Sequence, residues 1–85
     1  MSRIEKLNQK LLDGRSLTFA EFERLLRAYG FHQVRQRGSH RIWRNTVVGA
    51  SLTILPKGKD AHEYQTEELA DMIERHGLTL DESHD

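Results

Sequence analysis

The stretch Phe31-His32-Gln33-Val34-Arg35-Gln36-Arg37-Gly38-Ser39-His40-Arg41-Ile42-Trp43-Arg44-Asn45 decides the fold. Two strand-like runs, Phe31 to Arg37 and His40 to Asn45, flank Gly38-Ser39, a connection short enough to form a hairpin. Side chains alternate between the faces of a strand. Ile42 therefore shares one face with His40 and Arg44, while Trp43 shares the other with Arg41. The pattern leaves open which set faces the core, and a bulge at the glycine would change the phase. Ser51 to Leu55 is a third run, bounded by Gly49-Ala50 before it and Pro56 after it.

Upstream, Arg3 to Leu12 predicts a short amphipathic helix with Ile4, Leu7, Leu11 and Leu12 at helical spacing, ended by Asp13-Gly14-Arg15-Ser16. Thr18 with Glu21 three residues on is a capping-box signature. Phe19, Phe22, Leu25, Leu26 and Tyr29 then form the apolar stripe of a second helix that stops at Gly30. Downstream, Lys57-Gly58-Lys59-Asp60 predicts a loop. A last helix starts at Gln65 or Thr66 and runs through His76, with Leu69, Met72, Ile73 and His76 on one side and Gly77 as its stop. The tail from Thr79 to Asp85 is polar and expected to fray. The order α-α-β-β-β-α, with sequential antiparallel strands, implies an α+β two-layer sandwich with the helices on one face of a three-stranded sheet. With no repeat or low-complexity linker, 1–85 form one domain: an N-terminal helical extension over 1–16, a core over 17–78 and a tail over 79–85.

Composition narrows the function classes. The formal charge is zero, but by cancellation. Phe31 to Asp60 holds six basic residues against one acid, a net +5, whereas Ala61 to Asp85 holds eight acids against Arg75, a net −7. Segregation of this kind leaves a nucleic-acid-binding surface open. The apolar runs are too short to span a bilayer, and Met1 to Leu12 mixes charge with leucine, unlike a signal-peptide core. The absence of cysteine rules out disulfides and thiolate metal sites and points to a reducing, cytoplasmic setting. Eighty-five residues leave no room for a separate cofactor domain, and no cofactor is expected.

The chemistry-bearing feature is Gly38-Ser39-His40, a histidine beside a glycine amid arginines. Imidazole exchanges protons near neutral pH, and a backbone with no side chain can come close to a phosphate; the combination suggests ribonucleic acid chemistry. His40 is the candidate acid or base. Arg35, Arg37, Arg41, Lys57 and Lys59 are the candidate phosphate contacts, with Gly38 giving close approach and Ser39 a hydroxyl donor. A histidine near a hairpin is more often a surface residue, and arginines at alternating strand positions usually form a solvated face. Trp43 suits either a base-stacking platform or the core, and in so small a domain the core reading is the stronger. His32, His62, His76 and His84 show no metal-ligand spacing.

Leu25-Leu26, Tyr29-Gly30-Phe31, Arg35, Gly38-Ser39-His40 and Ile42-Trp43-Arg44, followed by Gly58-Lys59, Tyr64-Gln65 and a helix ending at Gly77-Leu78, resemble the HicA toxins of bacterial type II toxin–antitoxin systems. The resemblance runs from Thr18 to Leu78. It implies a double-stranded-RNA-binding-domain-like fold, metal-independent cleavage of messenger RNA that inhibits translation and growth, a catalytic histidine at His40, and silencing within a hetero-oligomeric complex by a HicB-like antitoxin. This chain differs in being acidic around Glu63 and in its apolar Asn45 to Ala50 loop, which carries Val47 and Val48.

Metal-free cleavage uses the ribose 2′-hydroxyl as nucleophile and needs one group to accept its proton and another to protonate the leaving 5′-oxygen. A histidine with a reference pKa of about 6.5 can perform either; Tyr64, a lysine or water is left for the other. Two further readings stay open. One is a non-catalytic RNA-binding module of the same fold, although an ordinary duplex reader needs a basic start to its last helix and this one opens with Glu67 and Glu68. The other is a protein-interaction domain that docks through its acidic last helix and apolar first helix. Because Ile4, Leu7 and Leu11 need burial, the first helix is expected to complete the fold.

Overall fold

The computed structural model describes residues 1–84. Helix α1 (Arg3–Leu12) opens with a capping box: the Ser2 hydroxyl accepts from the Glu5 N–H, and the Glu5 carboxylate accepts from the Ser2 N–H. Helix α2 (Phe19–Ala28) opens the same way through Thr18 and Glu21, as its sequence predicts. The two helices are tied together. Ile4, Leu7 and Leu11 are buried in the common core while Leu12 is exposed, the Tyr29 hydroxyl donates to Asn8, and the Lys10 ammonium lies 3.3 Å from the Glu21 carboxylate. Burial alone would push the Glu21 carboxyl up, but the Thr18 N–H and Lys10 outweigh it and hold the group below its ordinary value.

Strands β1 (Phe31–Arg37), β2 (His40–Asn45) and β3 (Ser51–Ile54) form an antiparallel sheet in sequence order, with β2 in the centre. This is the α+β architecture expected from the pattern. The central strand resolves the open question of facing. Trp43 is 1% exposed and joins Phe31, Leu52 and Ile54 in one core with Phe22, Leu25, Leu26 and Leu69 of the helices. Arg41, Trp43 and Asn45 therefore face the helices, and His40, Ile42 and Arg44 face away.

A bulge does occur, but at Val34 and not at the glycine: the pairing passes from Gln33↔Trp43 to Arg35↔Ile42. Strict alternation from the buried Phe31 would put Arg35 and Arg37 on the helix side. The extra residue moves both to the outer face, across from Ile42 and His40.

Three downstream expectations need correction. Residues 57–60 are not a plain loop, because β4 (Pro56–Lys57) and β5 (Asp60–Ala61) make a two-stranded ladder. That hairpin is stitched to the start of α2 by the Phe19 N–H on the Lys59 carbonyl (2.8 Å) and the Ala61 N–H on the Leu17 carbonyl (3.0 Å). Helix α3 (Glu63–His76) begins earlier than predicted, with His62 as an N-cap whose side chain caps nothing. The tail is not frayed: Leu80 packs on the core, the Asp81 N–H donates to the Ala28 carbonyl at 2.8 Å, and a 3-10 turn spans Glu82–His84. The end of that predicted tail, Asp85 and the His84 side chain, lies outside the described residues. Gly77 stops α3 as expected, β3 ends one residue short of Leu55, and Leu69 is the buried anchor of α3 while His76 is exposed.

Asn45 fixes the sheet to α2. Its amide nitrogen donates to the Tyr29 carbonyl (2.9 Å) and its amide oxygen accepts from the N–H groups of Val47 and Val48. Gly30, at φ 87°, sits against it; a Cβ there would lie 3.3 Å from the Asn45 amide nitrogen. Replacing Asn45 with Ala strands the buried Tyr29 carbonyl and frees two part-buried loop N–H groups, and should cost about 1–3 kcal/mol, measurable as a lower urea midpoint. An unchanged midpoint would show that the amide carries no net stability.

Candidate functional site

Directly paired residues on an antiparallel ladder share a face, so the register gives the composition of the uncovered side of the sheet. Arg37 pairs with His40, Arg35 with Ile42, and His32 with Arg44, while β3 adds Thr53 beside Ile42 and Ser51 beside Arg44. All are exposed except the half-buried Ile42. No carboxylate stands among them. Among the described residues none of Arg35, Arg37 and Arg44 has an ion-pair partner, and the His40 imidazole has no hydrogen bond, ion pair or ring contact.

The turn places His40. Gly38 is the first of two residues between the paired Arg37 and His40, and it has φ 59°, the positive angle such hairpin turns demand. A Cβ there would touch nothing, so the open approach expected at Gly38 is present, and Ser39 beside it is exposed. The Gly38 carbonyl accepts from the Gln36 amide at 3.1 Å, which braces the turn from the side of β1.

The structure separates one predicted phosphate contact from the others. Arg41 points to the helix side, where its guanidinium lies 2.7 Å from the Glu23 carboxylate and 5.1 Å from the centre of the Phe19 ring. Glu23 is only 8% exposed and needs that cation. Arg41 is thus part of the packing between β2 and α2, on the opposite face of the strand from the His40 side chain. Trp43 is core, with the Arg27 guanidinium 5.2 Å from its ring centre, and offers no stacking surface.

Lys57 and Lys59 are exposed on the β4–β5 hairpin, which follows β3 at the end of the sheet where Arg41 pairs with Ile54 and the Gly38-Ser39 turn lies. At that end Gln65, buried on α3, accepts from the Leu55 N–H (3.3 Å) and donates to the Thr53 carbonyl (3.4 Å) and the Tyr64 hydroxyl (3.3 Å). It terminates the edge of β3 and positions Tyr64, a role that the sequence alone did not disclose. His32 was also missed as a member of the face, because counting back from the Arg37–His40 pair without the bulge puts it opposite Asn45 on the helix side; Arg44 lies on the His40 face by plain alternation along β2, as the sequence predicts. Among the described residues no group of three or more His, Asp or Glu side chains could hold a metal ion, and no helix is long and apolar enough to cross a membrane.

These features define a small α+β domain that leaves one sheet face open, basic and furnished with an unpartnered histidine. A family model described as the HicA toxin of bacterial toxin–antitoxin matches residues 19–78. The chain belongs to that family. It is accordingly a toxin of a toxin–antitoxin system and has an antitoxin as its counterpart. No curated protein and no solved structure matches it.

The two kinds of arginine should respond differently to truncation. Arg41→Ala removes the partner of a buried carboxylate and should lower stability by about 1–3 kcal/mol. Arg37→Ala should stay within about 0.5 kcal/mol of the native chain, as surface changes do. Denaturant titration of the pair checks this; equal losses would contradict the assignment of faces.

Proposed function

We propose that the chain is an endoribonuclease that cleaves messenger RNA at the His40 end of the open sheet face. The observation that carries the reading is the pairing of an unpartnered His40 with Arg37 on a face without a carboxylate. In the step proposed, a ribose 2′-oxygen attacks the adjacent phosphorus as its proton passes to a base. The bond from phosphorus to the 5′-oxygen breaks as that oxygen receives a proton, leaving a 2′,3′-cyclic phosphate and a 5′-hydroxyl. His40 performs one of the two transfers. Arg37 and Arg35 stabilise charge on the phosphoryl oxygens, Gly38 and Ser39 let the strand approach, and Lys57 and Lys59 attract the flanking backbone. Tyr64, whose hydroxyl is held by Gln65, is a candidate for the second transfer alongside water.

This activity needs no metal, since the 2′-hydroxyl is its nucleophile, and it belongs in the cytoplasm, where its substrate is. The antitoxin, HicB-like by family, is proposed to silence the toxin by laying an acidic or aromatic patch over His40 and the arginines. Arg41 is left out of the binding set because Glu23 already neutralises it.

Purified native chain should cut a single-stranded messenger RNA in the presence of a chelator and leave cyclic-phosphate ends. His40→Ala should slow cutting by about 100-fold or more while retaining RNA binding, in line with the usual worth of acid–base catalysis. Equal rates would remove His40 from the chemistry. Binding without cutting by either chain would leave a non-catalytic RNA-binding module.

A further inference from the structure

The open face continues past the proposed cleavage position. Arg44 projects from the same face of β2 as His40, four residues on, roughly 13 Å away at a strand's rise per residue. It pairs with His32 on one side and Ser51 on the other, is exposed, and has no ion-pair partner among the described residues. Half-buried Ile42 lies between the two, so the row reads basic, apolar, basic along the strand.

We infer that Arg44, with His32 across from it, is a second phosphate-binding position, and that the RNA held on this face is a single strand lying along β2 from the Gly38-Ser39 turn toward the β2–β3 loop. The inference rests on the reading of this face as the RNA-binding surface. Three strands at about 4.8 Å spacing give a platform about 10 Å wide, and β2 is about 20 Å long. A duplex reader of related fold grips about 16 base pairs across two grooves, far more than this face can follow. The distance from His40 to Arg44 corresponds to about four nucleotides of a stacked strand, and fewer of an extended one. Ile42 offers the bases an apolar surface between the two cationic positions.

The test uses a 2′-O-methyl oligonucleotide, which lacks the attacking hydroxyl, so that binding is read without cleavage. Its affinity for the native chain, Arg44→Gln, Arg44→Lys and Arg37→Gln is followed by fluorescence anisotropy across a salt series, with Arg24→Gln on the exposed side of α2 as the control. Arg44→Gln should weaken binding about five- to tenfold and reduce the slope of log affinity against log salt by about 0.7, the value of one single-strand phosphate contact. Arg44→Lys should keep most of the slope, and Arg24→Gln should change nothing. The single strand should bind more tightly than its duplex. An unchanged slope for Arg44→Gln beside a loss for Arg37→Gln would end the track at His40 and leave the proposed cleavage standing. Preference for the duplex, or no binding by the native chain, would overturn the inference. Tight binding dependent on Arg44 without cleavage of ordinary RNA would instead keep the track and remove the enzyme.

Discussion

Trp43 can bury its bulk only by facing the helices, and nearly everything else about the sheet follows from that. Burying a tryptophan removes some 150–250 Å² from water, the largest contribution any one residue makes to so small a core. Because β2 is the central strand, its two-residue period then sends Asn45 and Arg41 inward with Trp43 and His40, Ile42 and Arg44 outward. Asn45 becomes the staple to α2, and Arg41 the partner of Glu23. The bulge at Val34 brings β1 into the same arrangement by moving Arg35 and Arg37 to the side where His40 already stands. Packing and site are thus two consequences of one phase.

Charge is sorted by the same surface. The arginine that turned inward met a nearly buried carboxylate and an aromatic ring, so its charge is satisfied within the fold. Those that turned outward have no such partner and repel one another, a modest cost in water that a bound polyanion would reverse into attraction. Many of the compensating acids lie instead on α3, behind the sheet, and help bring the total to zero without neutralising the arginines locally. Under the proposed function, RNA and the antitoxin would both meet this face with negative charge.

How far the sequence could be read depended on whether each feature was local. The second helix carried its start in Thr18 and Glu21 and its stop in Gly30, and the hairpin carried its turn in Gly38-Ser39; both formed where expected. Helix α3 began earlier than anticipated because His62 caps without a side-chain hydrogen bond and so left no signature. The β4–β5 ladder and the docked tail are held by backbone bonds to Leu17, Phe19 and Ala28, residues far away in sequence with nothing in their side chains to announce the contact. For the candidate site, His40 and its neighbours Arg37, Gly38 and Ser39 were visible as a run. Alternation along β2 already put Arg44 with His40 and Arg41 with Trp43; the membership of His32 and the Glu23 partner of Arg41 needed a bulge and a buried glutamate to be located in space.

Residues 19–78 carry the family match, yet α1 lies outside it and still fills the core with Ile4, Leu7 and Leu11. The helices thus form one continuous support behind the sheet, leaving its other side free for a ligand. The most direct measurement of that division is an amide NMR titration of the His40→Ala chain with a short uncleavable RNA strand. Shifts concentrated on β1, β2 and the Lys57–Asp60 hairpin, with α1 and α3 undisturbed, are the predicted result. Shifts centred on the helices would contradict it, since the basic sheet face would then not be the surface that meets RNA.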